Sequence, residues 1–338
     1  MKGSLVYCFS ALVGLAVASP TLQKRDVSTA ELTKFKLVAQ YAASAFCNTE
    51  NTAGQIITCK ADFCPLVTAN NGTTSSTFAG SIIDSRGLIA IDRTISSIII
   101  SFRGSRSIRN WITDFIFTQV PCDLVFGCLV HTGFLAAWNE ISPQVLAGAK
   151  AAVKANPSYK VIVTGHSLGG AVGTLATAYL RKAGIPVAEL ITFGSPRVGN
   201  SAFAKFVTDQ PGAEYRLTHA EDPVPRLPPI LFNYRHTSPE YWIDAPSNAT
   251  TITVSDFKVC PGDANIACNG GTKGFDLTEH SIYFQQVNGC NPDGEIWKRG
   301  PAATISDADL LKQLNQWVDM DIDYVEKLPF GESERVGI

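Results

Sequence analysis

Val161-Ile162-Val163-Thr164-Gly165-His166-Ser167-Leu168-Gly169-Gly170 is the stretch on which the fold turns. A β-branched run ends in Gly-His-Ser-Leu-Gly, and an Ala-rich segment with helical periodicity follows. Tyr159 to Thr164 reads as a strand buried on both faces, as in a parallel sheet. Strand, sharp turn and helix form the setting of a nucleophile elbow. A serine hydroxyl is a poor nucleophile in water. Held on a tight turn beside a base and a helix N-terminus, it attacks a carbonyl carbon. A glycine-rich βα turn would also contain such a pentapeptide. However, Gly169, Gly170 and Gly173 all fall in the first turns of the helix. Each costs about 1 kcal/mol relative to alanine there, so close packing or chemistry must account for them.

Working outward, residues 30–46 read as a helix, with Leu32, Phe35, Val38, Ala39, Ala42 and Phe46 on one side. Thr77 to Ala90 and Ser96 to Phe102 read as strands, the apolar run Ile98-Ile99-Ile100 fitting burial on both faces. Trp138 to Ala155 reads as a helix stopped by Asn156-Pro157. Strands follow at Glu189 to Phe193 and Tyr215 to Thr218. Alternating strands and helices predict an α/β fold, with a mainly parallel central sheet and helices on both faces.

The 338 residues suffice for one large domain, and 45% hydrophobic against 17% charged residues excludes a disordered chain. The formal net charge is −2, and no basic cluster points to nucleic acid. Lys2, the apolar run Leu5 to Ala18 and the small-x-small Ala16-Val17-Ala18 read as a signal peptide over residues 1–18. The run is too short to span a membrane. Lys24-Arg25 reads as the end of a propeptide over 19–25. The expected destination is extracellular. Cys8 leaves with the signal, and eight cysteines remain for an oxidising compartment. Spacing pairs Cys59 with Cys64, Cys122 with Cys128 and Cys260 with Cys268, which leaves Cys47 with Cys290. None has the spacing of a zinc site; neither metal nor cofactor is expected. Asn71 and Asn248 are glycosylation acceptors.

Ser167 needs a base, and the base needs an orienting carboxylate. When the nucleophile sits on such an elbow, the chain order is Ser, acid, His. That order excludes His131 and His166, and His219 precedes the best acid. His280 leads into the apolar patch Ile282-Tyr283-Phe284 and is favoured over His236, which suits a structural hydrogen bond better. Asp222 stands at a strand end before Pro223-Val224-Pro225, where the prolines hold the loop still. Glu221 beside it is the alternative, as a longer and looser orienter. Leu168 N–H, at a helix start, suits a developing oxyanion. Phe102-Arg103-Gly104-Ser105 suits the second donor, with Ser105 adding its hydroxyl.

Ile108, Trp111, Ile112, Phe115 and Ile116 fall on one helical face just after Ser105, with Arg109, Asn110, Thr113 and Asp114 opposite. An ordinary surface helix has this pattern too. Its place beside a candidate oxyanion residue marks it instead as a lid over about 106–118, apolar face inward in water and outward at lipid.

Four motifs together carry a family resemblance. They are Phe102-Arg103-Gly104-Ser105 with Ile108-Arg109-Asn110-Trp111, Gly165-His166-Ser167-Leu168-Gly169-Gly170, Phe193-Gly194-Ser195-Pro196-Arg197-Val198-Gly199-Asn200, and His219-Ala220-Glu221-Asp222-Pro223-Val224-Pro225-Arg226-Leu227-Pro228-Pro229. From about residue 30 to 290 the chain resembles the class 3 lipases of filamentous fungi. The resemblance implies an α/β-hydrolase domain over 26–290 and the triad Ser167, Asp222 and His280. It also implies Ser105 and Leu168 as oxyanion donors, the lid, and the Cys47–Cys290, Cys59–Cys64 and Cys122–Cys128 pairings. The activity implied is secreted hydrolysis of acylglycerols, triacylglycerol in particular, at a lipid–water interface; separately from the resemblance, a monomer is expected. Alternatives are a phospholipase A1, a feruloyl or aryl esterase, and a lipid-binding protein on an inactive hydrolase scaffold. The loop with Cys260 and Cys268 is similar to one in related secreted esterases, feruloyl esterases among them. Five bulky apolar lid residues favour lipid.

Residues 291–338 carry ten acidic and five basic side chains, the whole negative excess of residues 26–338. This acidic extension is similar to that of a subgroup of fungal lipases, some of which also cleave phospholipids. Ser306-Asp307-Ala308-Asp309 has capping-box form, with Ile305 and Leu310 as a hydrophobic staple. Leu310, Leu311, Leu314, Trp317 and Val318 repeat at helical spacing. This helix is expected to dock, its apolar face covering the lid region until the extension is processed, with Lys298-Arg299 as a cleavage site.

Overall fold

The computed structural model describes residues 26–105, 112, 117–249, 251–274, 276–290 and 305–328. The leader assigned to residues 1–25, the lid positions Ile108, Trp111, Phe115 and Ile116, and the pair Lys298-Arg299 lie outside the described residues.

Helix α1 (Thr29–Cys47) starts at a reciprocal cap. Ser28 Oγ accepts from the Glu31 N–H at 3.2 Å, and the Glu31 carboxylate accepts from the Ser28 N–H at 3.0 Å. Helix α2 (Pro65–Ala69) leads to strands β1 (Thr73–Ala79), β2 (Arg86–Asp92) and β3 (Ser97–Phe102). Here the sequence reading needs correction, because Thr77 to Ala90 is not one strand. It is split between the two arms of a hairpin, whose turn is held by the distant Glu140 carboxylate accepting the N–H groups of Ser81, Ile82 and Ile83.

Strands β4 (Gln119–Pro121) and β5 (Leu129–His131) pair across the loop that the Cys122–Cys128 bridge closes. Helix α3 (Thr132–Ala155) begins six residues before the expected Trp138. Its N-cap is His131, whose Nδ1 accepts from the Gly133 and Phe134 N–H groups at 3.1 and 3.4 Å. Histidine is not one of the usual capping signals, so the first turns were hidden in the sequence.

Next come β6 (Lys160–His166), α4 (Leu168–Lys182), β7 (Val187–Phe193), α5 (Ser201–Thr208), β8 (Ala213–His219), β9 (Glu240–Ile243) and β10 (Phe257–Cys260). Helices α6 (Leu277–Ser281) and α7 (Asp307–Glu326) follow. The eight-stranded sheet runs β1-β2-β3-β6-β7-β8-β9-β10, parallel from β3 through β9 and antiparallel at both edges. Strands β9 and β10 escaped the sequence reading. Each has four residues, and β9 opens on Glu240, a buried carboxylate that takes the Thr218 hydroxyl at 2.5 Å and pairs with Arg216 at 3.3 Å.

Alternation along the strands separates two cores. Ile98, Ile100 and Val163 face α3 and α4, while Ile99, Ile162 and Ile191 face α1 with Tyr215 and Tyr241. Disulfides join Cys47–Cys290, Cys59–Cys64, Cys122–Cys128 and Cys260–Cys268. The first clamps the end of α1 to the chain just beyond the α6 region.

The turn from β6 to α4 leaves no room for side chains. A methyl group on Gly169 would lie 2.2 Å from the Phe102 carbonyl oxygen, and one on Gly165 would lie 2.3 Å from the Gly169 backbone. Gly173, one turn on, meets only ordinary contacts at 3.4 and 3.5 Å. The glycines of the motif therefore divide. Gly169→Ala is expected to destabilise by about 1–3 kcal/mol through overpacking against backbone. Gly173→Ala should be neutral or stabilising by up to about 1 kcal/mol through helix propensity. Chemical denaturation of both variants checks the contrast, and equal effects would contradict it.

Candidate active site

Ser167 sits between β6 and α4 with φ 56° and ψ −129°, a conformation disfavoured for any residue with a side chain. Its N–H donates to the Phe193 carbonyl at 2.9 Å, which fixes the turn to the neighbouring strand. The side chain is fully buried, and its Oγ has no hydrogen-bond partner among the described residues. Burying an unpaired hydroxyl is unfavourable, so the site is built for something other than stability.

Asp222 lies three residues beyond β8. Its carboxylate accepts from His280 Nδ1 at 2.8 and 2.9 Å, the Tyr283 hydroxyl at 2.7 Å and the Val224 N–H at 2.9 Å. Asp222 and His280 are both fully buried. Three donors on one dry carboxylate hold it in place, and its contact with Nδ1 fixes the orientation of the imidazole. The Tyr283 phenol, pushed well above its ordinary pKa by burial and by Asp222, remains a donor. Gly194, just after β7 at φ 57°, makes the approach possible. A methyl group there would lie 2.9 Å from Asp222 Oδ2 and 3.0 Å from the His280 ring.

Two further histidines hold this arrangement. His166 Nε2 donates to the His280 carbonyl at 2.7 Å, and the two rings lie 4.5 Å apart. Burial first, and His280 second, hold His166 well below the usual imidazole pKa, so it stays neutral beside its neighbour. His219 reaches the Ile282 carbonyl at 2.8 Å through Nδ1 and the Ala245 carbonyl at 2.7 Å through Nε2, tying the end of β8 to the His280 loop. His236 is bonded through Nε2 to the Pro225 carbonyl at 2.7 Å and takes no part in the cluster. Asn269, beside the Cys260–Cys268 bridge, donates to the Asp222 and Ala220 carbonyls at 3.0 and 3.1 Å. The Glu221 carboxylate lies against Gly274, where a Cβ would come within 1.9 Å of Oε2.

Leu168 and Ser105 line one small cleft together with Phe102, Arg103 and Gly104. Arg103 secures that loop, donating to Asp84 Oδ2 at 2.6 Å. A cavity of about 660 Å³ lies at the opposite end of β7 beside Val187 and contains none of these residues. Of the five apolar residues expected on the lid face only Ile112 is described, and it is buried with Val224, Leu227, Leu310 and Leu314. Asn71 and Asn248 are exposed. Sequence reasoning missed Tyr283, His219 and Asn269. Tyr283 had been read only as part of an apolar patch, and its hydroxyl acquires a meaning only when folding brings it to Asp222.

With this geometry in view, the comparisons with known proteins are direct. The family described as Lipase (class 3) matches residues 99–232. Secreted mono- and diacylglycerol lipase 1 of Fusarium solani is 46% identical over 335 residues, 96% of this chain and 99% of that protein. The chain belongs to the class 3 lipase family. Secreted mono- and diacylglycerol lipase A of Penicillium cyclopium is 43% identical over 306 residues, 88% of this chain and the whole of that protein. A mutant crystal form of the Penicillium cyclopium enzyme superposes with TM-score 0.74 at 43% identity, covering 78% of this chain and 99% of its own. A triacylglycerol lipase whose catalytic centre is described as a serine protease triad superposes with TM-score 0.69 at 32% identity, covering 79% and 100%. The fold of this class 3 lipase is thus the α/β-hydrolase fold, with a mainly parallel sheet.

Two predictions arise from the acid loop. Tyr283→Phe removes one of three donors to Asp222 and should lower stability by about 1–3 kcal/mol, read by chemical denaturation; an unchanged midpoint would show that the bond is worth nothing net. Glu279, next to His280, takes the Glu221 N–H at 2.5 Å. Burial, reinforced by Asp276, Glu221 and Asp222, pushes its carboxyl up to about 7 from 4.5. The folded protein holds this proton between those values where the unfolded chain has lost it, so stability falls as pH rises through that window. Glu279→Gln mimics the protonated form. Its thermal midpoint should match the parent at pH 5 and exceed it at pH 8; a gap independent of pH would contradict this.

Proposed function

We propose that this class 3 lipase is a secreted serine ester hydrolase acting on acylglycerols at lipid–water interfaces. The single observation that carries the reading is the buried Asp222–His280 pair, with Tyr283 behind it, in the same core as an unpartnered Ser167 Oγ on a strained turn.

In the proposed reaction Ser167 Oγ attacks the ester carbonyl carbon while His280 Nε2 takes its proton. Asp222 holds the ring and stabilises the imidazolium that forms. The oxyanion is received by the backbone N–H groups of Leu168 and Ser105. The start of α4 adds the partial positive charge of a helix N-terminus. His280 then protonates the departing alkoxide, which leaves as the alcohol. A water molecule, deprotonated by the same imidazole, cleaves the acyl-enzyme to the carboxylic acid and restores Ser167. His166, held neutral, adds no charge that would oppose the imidazolium.

Substrate class rests on the relatives and on the apolar surroundings. The Fusarium and Penicillium relatives that match along nearly their whole length are named mono- and diacylglycerol lipases. Partial glycerides therefore stand beside triacylglycerol as substrates. The apolar positions around Ile112 support the lid reading and favour long acyl chains over ferulate. The names of the same relatives support secretion, with the leader over residues 1–25 removed. Asn71 and Asn248 are accessible for glycosylation.

Ser167→Ala should abolish turnover of a soluble short-chain ester while leaving the circular dichroism spectrum and thermal midpoint nearly unchanged. Asp222→Asn should lower kcat by roughly 10⁴-fold, as expected when the imidazole loses its orienting charge. Purified Ser167→Ala protein that still hydrolyses the ester sinks the assignment. A panel of monoolein, diolein, triolein, phosphatidylcholine and methyl ferulate separates the substrate classes. Preference for methyl ferulate would overturn the acylglycerol reading, and preference for phosphatidylcholine would make the enzyme a phospholipase.

A further inference from the structure

Helix α7 is polar toward water and apolar toward the body of the enzyme. Leu310, Leu314, Val318, Asp321 and Val325 are buried, whereas Asp307, Asp309, Asp319, Asp323 and Glu326 are exposed. Leu310 and Leu314 pack in one cluster with Ile112, Val224 and Leu227, and Ile112 is 2% exposed in it. Trp317 meets the Phe117 ring at 5.2 Å, and Phe117 meets Phe232 at the same distance. The residues beneath α7 therefore come from two sides of the candidate site. Ile112 and Phe117 follow Ser105 in the chain, and Val224 and Leu227 follow Asp222 by two and five positions.

Polar contacts register the helix on this surface. The Asp321 carboxylate accepts the Ile230 and Leu231 N–H groups at 2.8 and 3.0 Å and faces the buried Arg197 at 3.3 Å. Asn315 accepts the Gly274 N–H at 3.2 Å, and Asp319 pairs with Lys273 at 2.6 Å. Docked in this way, α7 exchanges an apolar face for a row of carboxylates. Carboxylates favour water and oppose contact with a lipid surface.

We propose that the surface beneath α7, formed by Ile112, Phe117, Val224, Leu227 and Phe232, is the face that docks on lipid, and that α7 and lipid compete for it. This rests on the esterase reading only for the chemistry of the partner. Once α7 leaves it, this aliphatic and aromatic face, contributed by segments that follow Ser105 and Asp222 in the chain, suits an acyl-chain surface. While α7 occupies it, the affinity for lipid is reduced by the fraction of molecules in which the helix is undocked.

The test uses the full chain carrying Ser167→Ala, so that the lipid is not consumed. Leu310→Glu with Leu314→Glu places charge in the cluster and undocks the helix without removing it. A second variant carries a site-specific protease sequence in place of residues 296–302, so that α7 is released from protein already folded. Adsorption to gum-arabic-stabilised triolein droplets and to phosphatidylcholine vesicles is measured by sedimentation, with tryptic accessibility of Lys312 and Lys327 reporting undocking. Undocked protein should adsorb to triolein about ten-fold or more tightly, as for a competent state populated at about one-tenth or less. Adsorption equal to that of the parent, with the helix shown to be undocked, overturns the proposal. Tighter adsorption to vesicles but not to triolein also overturns it, since removal of the acidic helix would then merely have relieved repulsion from a polar headgroup surface. Turnover of a soluble short-chain ester by the Ser167-bearing counterparts is read in parallel, and adsorption rather than turnover decides the docking proposal. Absence of turnover in parent and variants alike, with adsorption increased, would refute the esterase reading and leave the docking face standing.

Discussion

The constraint on which the rest depends is steric. The backbone at Gly165 and Gly169 approaches so closely that a single methyl group at either position would collide with main-chain atoms. That contact lets α4 start immediately after β6 and brings the Phe102–Gly104 loop against the turn. Ser167 is thereby held at positive φ, with its side chain at the C-terminal edge of the parallel strands. The strain at Ser167 persists because two packed cores on either side of the sheet fix both ends of the turn. The start of α4, the Phe102–Gly104 loop and Ser167 are thus placed by one close approach.

The Asp222 carboxylate is the second organising element. It lies on a loop, yet loops are poor at holding charges to a fraction of an ångström. Here the loop is immobilised from several directions: Asn269 through backbone carbonyls, the Cys260–Cys268 bridge behind it, Arg197 at the Arg226 and Pro228 carbonyls, and His219 at the far wall. Arg197 is fully buried, and burial lowers its pKa to about 10, still high enough to keep it charged at neutral pH. Much of the long motif that follows β7 and β8 is therefore scaffolding for one carboxylate.

The C-terminal helix belongs to this scaffold as well as to the surface. Asp321 completes the environment of Arg197, so α7 is coupled to the same loop that carries Asp222. A helix that only shielded an apolar patch would have no need of a buried carboxylate aimed at a buried arginine. Covering the surface and steadying the acid loop are two consequences of one docking geometry.

The elbow, the parallel sheet, the disulfide partners and the candidacy of Ser167, Asp222 and His280 were legible in the chain alone. Those features are local: a glycine pattern, a β-branched run, a short cysteine spacing, a proline-fixed loop. Chain order left His236 and His280, the local surroundings ranked His280 first, and the geometry sets His236 apart on the Pro225 carbonyl. Partners contributed from far along the chain emerged only on folding. Tyr283 on Asp222 and Asp321 on Arg197 join residues 61 and 124 positions apart, and Glu140 lies 57 to 59 positions from the hairpin N–H groups it accepts. Strand β9 was invisible for the same reason, because a buried Glu240 is tolerable only once Arg216 and Thr218 face it. Periodicity and spacing report what a residue does to its neighbours along the chain. The value of a buried polar group depends on its partner across space, and that partner exists only in the folded molecule.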